Sequence, residues 1–248
     1  MSEASSWVNP FPAPPGQLTV PSLTTGSRMP LGRRRFEVVG AFCWLAQPLY
    51  IAAELLVAAG ASATYSLRDN TISDLGSIGC TPALCSPWHP GMNTAFVAFS
   101  LLRVAGALLL LPSGRPGRPG RAAVTATVLW LVSGVFSAAI GFVPVDQHPS
   151  LHVLVAVPVF VTQPVAVLAT ALAFKGTHRG LTASGVMVGI GCLVGAGAFL
   201  VASAGVSWVG FWERFALWPA YPWLAVVGAV VLASRRVSPA PLEPSVGR

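Results

Sequence analysis

Six long apolar stretches govern what this chain can become, at about residues 36–60, 92–111, 122–142, 152–174, 181–204 and 217–234. Each is close to the ~20 residues that carry a helix across ~30 Å of hydrocarbon. In lipid the backbone must satisfy its own hydrogen bonds, so continuous runs of this length are read as helices. Composition agrees: 54% of the 248 residues are hydrophobic and 9% are charged, whereas soluble domains carry about a quarter charged residues. Mean hydropathy is +0.68. The expected fold is all-α, a polytopic integral membrane bundle of six transmembrane helices.

A net charge of +7 and a pI near 10.1 would direct a soluble chain toward nucleic acid. Here the charges are placed by topology instead. Arg28, Arg33, Arg34, Arg35, Arg115, Arg118, Arg121, Lys175, Arg179, Arg235, Arg236 and Arg248 fall on one side of the six stretches; Arg68 and Arg214 fall on the other. Short cytoplasmic loops hold the basic excess, so both termini are expected in the cytoplasm, with membrane lipids and no nucleic acid as partners. Lys175 is the only lysine, which with abundant Ala, Gly, Pro and Arg suggests a GC-rich bacterial genome and a bacterial plasma membrane. Residues 1–35 are rich in Pro, Ser and Thr and read as a disordered cytoplasmic tail. Residues 36–234 form the membrane domain, and 235–248 a short cytoplasmic tail. Ala61, Ser62 and Ala63 imitate a signal-peptide cleavage site, but the apolar run before them exceeds the ~7–15 residues of a signal core.

Chemistry-bearing residues collect on the outer face. The loop 61–91 carries Asp69, Asn70, Ser73, Asp74, Cys80 and Cys85. On the oxidising side a Cys80–Cys85 disulfide is expected, with a zinc pair as the alternative. Cys43 and Cys192 fall inside spans and read as small core residues. Ser86-Pro87 resembles a helix start, which puts His89 and Asn93 on one helix face. The next outer loop holds Asp146, His148 and His152; Glu213 and Arg214 head the last span, where adjacent opposite charges read as snorkelling anchors. Glu54 lies near the outer end of the first span. Together these residues outline an outward-facing polar pocket, with His89, Asp146 and His152 as candidate metal ligands and no cofactor indicated. For each polar residue of the first outer loop alone, capping and turn formation are the plainer role, and a lone histidine at a helix entry reads as a structural hydrogen-bonder.

Deeper in the membrane, Gln47, Arg103 and Gln163 form an expected buried polar layer, since an arginine there needs partners. Gln47-Pro48 and Gln163-Pro164 occupy matching places in spans one and four, a pattern that interrupted helices of inverted-repeat transporters also show. Gly185, Gly189, Gly191, Gly195 and Gly197 in span five permit close packing, within the bundle or in a homo-oligomer.

The segments NTISDLG, CSPWHPGMN, GFVPVD with downstream His152, and WERFALWP resemble the family catalogued as domain of unknown function 998. The resemblance spans roughly 36–234 and implies a multi-pass membrane protein, mostly prokaryotic, with no assigned activity. By motif it singles out Asn70, Ser73, Asp74, His89, Asn93, Pro144, Asp146, His152, Glu213 and Arg214.

Three function classes fit this sequence. One is a hydrolase or transferase for lipid or lipid-linked substrates, with His89, His152 and Asp146 as metal ligands or acid–base groups and Asp74 assisting. No HExxH or GxSxG motif supports it. The second is a protein that binds or moves a lipid or small molecule, Glu213 and Arg214 orienting a headgroup. The third is an accessory scaffold whose polar loops close its outer face. Binding or accessory roles rank above catalysis.

Overall fold

The computed structural model describes residues 31–62, 64–111, 120–205 and 207–236. Its elements are α1 (Leu31–Leu45), α2 (Leu49–Ala59), a 3-10 turn (Ser73–Gly76), α3 (His89–Leu110), α4 (Arg121–Ile140), α5 (Pro149–Ala173), α6 (Arg179–Ser203), α7 (Val209–Leu217) and α8 (Ala220–Arg236). No strand occurs among the described residues. Six helical segments are long and apolar enough to cross a membrane: Arg35–Ala59, His89–Leu110, Arg121–Ile140, Pro149–Ala173, Arg179–Ser203 and Val209–Ser234. The chain is a multi-pass membrane protein. The proposed tails lie largely at 1–30 and 237–248, outside the described residues; residues 31–35 continue α1 as helix.

Spans one and six are each two helices, and proline chemistry accounts for both breaks. Pro48 has no amide hydrogen to offer Trp44, whose carbonyl accepts from the Gln47 amide at 3.1 Å instead. The Cys43 carbonyl, freed by that shift, accepts from Gln47 Nε2 at 3.3 Å. In span six the break falls at Trp218-Pro219. There the Tyr221 amide turns to the Trp218 carbonyl, and Gln163 Nε2 donates to the freed Leu217 carbonyl at 3.2 Å. The two breaks meet where the Tyr50 and Tyr221 rings lie 4.9 Å apart.

Gln163-Pro164 leaves α5 helical throughout. The paired interruptions are therefore in spans one and six, not one and four, and Gln163 serves the break in its neighbour. The last span also begins earlier than the sequence suggests, because Val209–Leu217, which includes the WERFAL part of that segment, is itself helical.

The helices form a sequential ring: α1 packs on α3, α3 on α4, α4 on α5, α5 on α6, α6 on α7, and α8 closes on α1. One half of the interior is built on Trp44, Trp130, Val167, Leu224 and Val227. The half beneath the 61–88 loop is built on Tyr50, Ile72, Leu75, Met92, Phe96 and Tyr221. Span five uses its small residues inside the chain. Gly185 backs onto Trp223, Gly189 onto Leu168 and Gly195 onto Ala216, while Gly191 and Gly197 face open space. Leu56, Leu154, Met187 and Leu200 point outward, the apolar face that a lipid-embedded bundle presents.

Candidate functional site

The loop between α2 and α3 is pinned to the bundle along most of its length. Its base is tied by the Ser62 amide to the Cys85 carbonyl at 2.9 Å. Cys80 and Cys85 are joined by a disulfide, Cα atoms 4.3 Å apart. At the centre, NTISDLG folds into a local cap: the Thr71 amide donates to Asp74 Oδ2 at 2.7 Å, and the Asp74 amide to Thr71 Oγ1 at 3.1 Å. This reciprocal pair starts the 3-10 turn, as short polar side chains do at helix starts. The turn directs Ile72 and Leu75, both essentially inaccessible, down into the half of the core beneath the loop.

Arg214 is the hub beneath that cap. Its Nε donates to Glu54 Oε1 at 2.9 Å. Its Nη1 donates to the carbonyls of Leu67 at 2.6 Å, Asn70 at 2.8 Å and Gly210 at 3.0 Å. Nη2 donates to the Tyr65 hydroxyl at 2.5 Å, and that hydroxyl donates to the Thr71 carbonyl at 3.0 Å. Trp218 Nε1 supplies the second Glu54 oxygen at 2.9 Å. Beside it Glu213 Oε2 accepts from the Ile72 amide at 2.5 Å. Glu213 and Arg214 are thus not snorkelling anchors; both are buried, at 4% and 5% exposure. In lipid a bare charge is costly, so Arg214 pairs with Glu54 and spends its remaining donors on loop carbonyls. A planar guanidinium with five donors can serve this many acceptors, which an ammonium cannot.

The other expected site residues take up the same task. The Asn70 side chain accepts from the Ser66 amide at 2.9 Å, and Asn93 Nδ2 donates to the Gly76 carbonyl at 3.0 Å. Asp146 accepts from the amides of Ile78 at 3.2 Å and Gly79 at 2.8 Å. Partial desolvation raises the Asp146 pKa, but the hydrogen bonds from Gly79, Gln147 and Ile78 outweigh it and hold the carboxyl below its ordinary value. Burial pushes the Tyr65 phenol well up, against the pull of Arg214, so it stays protonated as a donor. His152 bonds Ser73 Oγ through Nε2 at 2.9 Å and the Val143 carbonyl through Nδ1 at 2.6 Å.

His89 stands apart, its Nδ1 bonded to the Ser86 carbonyl at 3.0 Å. Ser86 does not cap α3; its hydroxyl donates to the Leu75 carbonyl at 2.7 Å. The candidate metal ligands His89, Asp146 and His152 do not gather: among the described residues no group of three or more His, Cys, Asp or Glu could hold a metal ion.

In the deeper layer Arg103 donates to Gln163 Oε1 at 2.5 Å and to Ser100 at 3.3 Å, between the rings of Trp130 and Tyr221. Gln47 turns to the Phe99 carbonyl rather than to Arg103. Two contributors carried no sequence signal of their own, Tyr65 and Gly210; Trp218 stood out only as part of WERFALWP. A Cβ at Gly210 would collide with the Asn70 carbonyl oxygen, so glycine is what lets α7 approach the loop.

Against this clamp lies a lateral groove of about 390 Å³, lined by Leu67, Arg68, Phe211, Arg214, Phe215, Trp218 and Pro219. Its walls are apolar apart from the two arginines. Phe211, Phe215 and Leu67 are 41%, 40% and 39% exposed along it. Arg68 is held by Asp69 at 2.9 Å and lies over the Trp208 ring.

Neither the curated proteins nor the solved structures contain a match to this chain. A family model does match, described as Protein of unknown function (DUF998) and covering residues 44–230, from the very end of α1 through most of α8. The matched stretch holds the breaks of both interrupted spans, the loop and every residue of the clamp, and the chain belongs to that family.

Proposed function

We propose that this protein binds a lipid of the outer membrane leaflet in the lateral groove, in a bacterial plasma membrane, with both termini in the cytoplasm. The observation that carries the reading is the groove itself. Its volume of about 390 Å³ falls within the ~300–1,000 Å³ of sites that hold small ligands on apolar walls with a few placed polar groups. It lies against α7, with Phe211, Phe215 and Leu67 exposed along it, at the end of the bundle poor in basic residues, where an acyl chain could enter from the bilayer. Phe211, Phe215, Trp218 and Pro219 offer the chain its walls. Arg68 at the rim suits a phosphate headgroup, which a guanidinium binds with two parallel hydrogen bonds. The exposed Arg68–Asp69 pair is a weak competitor for that phosphate. The polar residues that first suggest a pocket act here as the clamp that keeps the groove's roof in place.

Native mass spectrometry tests this. Protein released from bilayers of phosphatidylglycerol and phosphatidylethanolamine retains one lipid, with the anionic one favoured. Leu67→Trp, which fills the groove and leaves the Leu67 carbonyl to Arg214, loses it, and Arg68→Glu loses the headgroup preference. Equal retention by all three proteins would refute the reading.

A further inference from the structure

Ser73 and His152 meet across 79 positions of sequence, one in the 3-10 turn of the outer loop and the other in the first turn of α5. Both ring nitrogens of His152 are engaged. Nδ1 lies 2.6 Å from the Val143 carbonyl oxygen, and a carbonyl can only accept, so the proton sits on Nδ1. With that proton on Nδ1, Nε2 is the nitrogen left to accept from the Ser73 hydroxyl across 2.9 Å. A hydroxyl and a base within about 2.6–3.2 Å, the base oriented by a third group, is the arrangement that activates a nucleophile. The Val143 carbonyl stands where a carboxylate stands in Ser-His-Asp triads, fixing tautomer and ring direction. His152 is 5% exposed while Ser73 is half-buried. The base is shielded from water and the hydroxyl remains within reach of a substrate from outside.

We propose that Ser73 and His152 form a nucleophile–base pair that cleaves carboxylic esters by acyl transfer. The Ser73 oxygen bonds to the ester carbonyl carbon as its proton passes to His152 Nε2. The tetrahedral adduct collapses, the carbon–oxygen bond to the alcohol breaks, and the alcohol leaves with the proton from Nε2. Water then attacks the acyl-serine, giving its proton to Nε2; the acid departs and Ser73 recovers its hydrogen. No metal and no oxidant enters this balance. The pair is independent of lipid retention in the groove and goes beyond it.

The test is a fluorophosphonate probe on the purified full-length protein. Attack by Ser73 on phosphorus expels fluoride and leaves a stable adduct, located by peptide mass spectrometry. The expected result is one adduct on Ser73, absent from Ser73→Ala and at least ~100-fold slower in His152→Gln, with Ser66→Ala and Ser77→Ala labelled as wild type. Folding is checked by the melting transition of each protein. Folded wild type without an adduct at Ser73 overturns the proposal, whatever the variants do. So does labelling of Ser73 that persists at the full rate in a folded His152→Gln. Lipid retention measured on the same samples separates this outcome from failure of the groove.

Discussion

Replacing Arg214 with methionine removes the hub while keeping much of its volume, and the structure says what is then left behind. Glu54, wholly inaccessible, loses the 2.9 Å partner of Oε1 and keeps Trp218 alone. The Leu67 and Asn70 carbonyls lose their 2.6 and 2.8 Å donors, and Tyr65 loses its charged partner. Breaking a buried ion pair by deleting one side costs about 3–5 kcal/mol, and each stranded carbonyl adds to that. At about 2–4 °C per kcal/mol for a chain of this size, the melting temperature should fall by roughly 6–20 °C. Tryptophan fluorescence on heating in detergent reads this out. The double variant Glu54→Gln, Arg214→Met leaves no bare charge, so it should melt above Arg214→Met alone. If Arg214→Met melts within about 2 °C of wild type, the pair behaves like a surface one worth under ~1 kcal/mol and the clamp is wrong. A double variant no better than the single would equally break the argument.

Two further outcomes follow from the same contacts. The Asp146 carboxyl is held below its ordinary value by loop amides, so its anchoring is fully present above the ordinary aspartate range near ~3.9 and is lost as pH falls through the lowered value. Amide exchange at Ile78 and Gly79, corrected for intrinsic rates, should therefore accelerate on acidification; in Asp146→Asn it should be fast already at neutral pH, and identical profiles would contradict this. Gly210→Ala should destabilise by about 1–3 kcal/mol through overpacking against Asn70, whereas Gly197→Ala, facing open space, should melt as wild type; equal melting of the two would remove the close approach of α7 from the account.

Much of this was legible from residue order because lipid leaves few options. The six spans follow from length and apolarity, and the Cys80–Cys85 disulfide from two cysteines close together in one loop. What was not legible depends on pairs far apart in sequence. Nothing near Glu213 and Arg214 tells that Glu54, 160 positions away, neutralises the arginine, so adjacent opposite charges read as surface anchors. The break in span six hides because Trp218-Pro219 looks like a span's beginning, and because Gln163, which satisfies it, carries its own proline in an unbroken helix. Asn70, Asp74 and Asn93 read as turn and cap residues one by one, and Asp146 as a lone loop charge. Their shared task, holding a loop to the bundle, emerges only when the backbone groups they bond are known. The apolar groove had no sequence signature, since Leu67, Phe211 and Phe215 are ordinary residues of a membrane chain.

The groove is the point on which the account turns. Cryo-electron microscopy of the protein in nanodiscs containing phosphatidylglycerol addresses it directly. The account predicts continuous acyl-chain density along Phe211, Phe215 and Trp218, ending in a phosphate beside Arg68. A groove that is empty, or closed by protein side chains while ordered lipid lies elsewhere on the bundle, would contradict it.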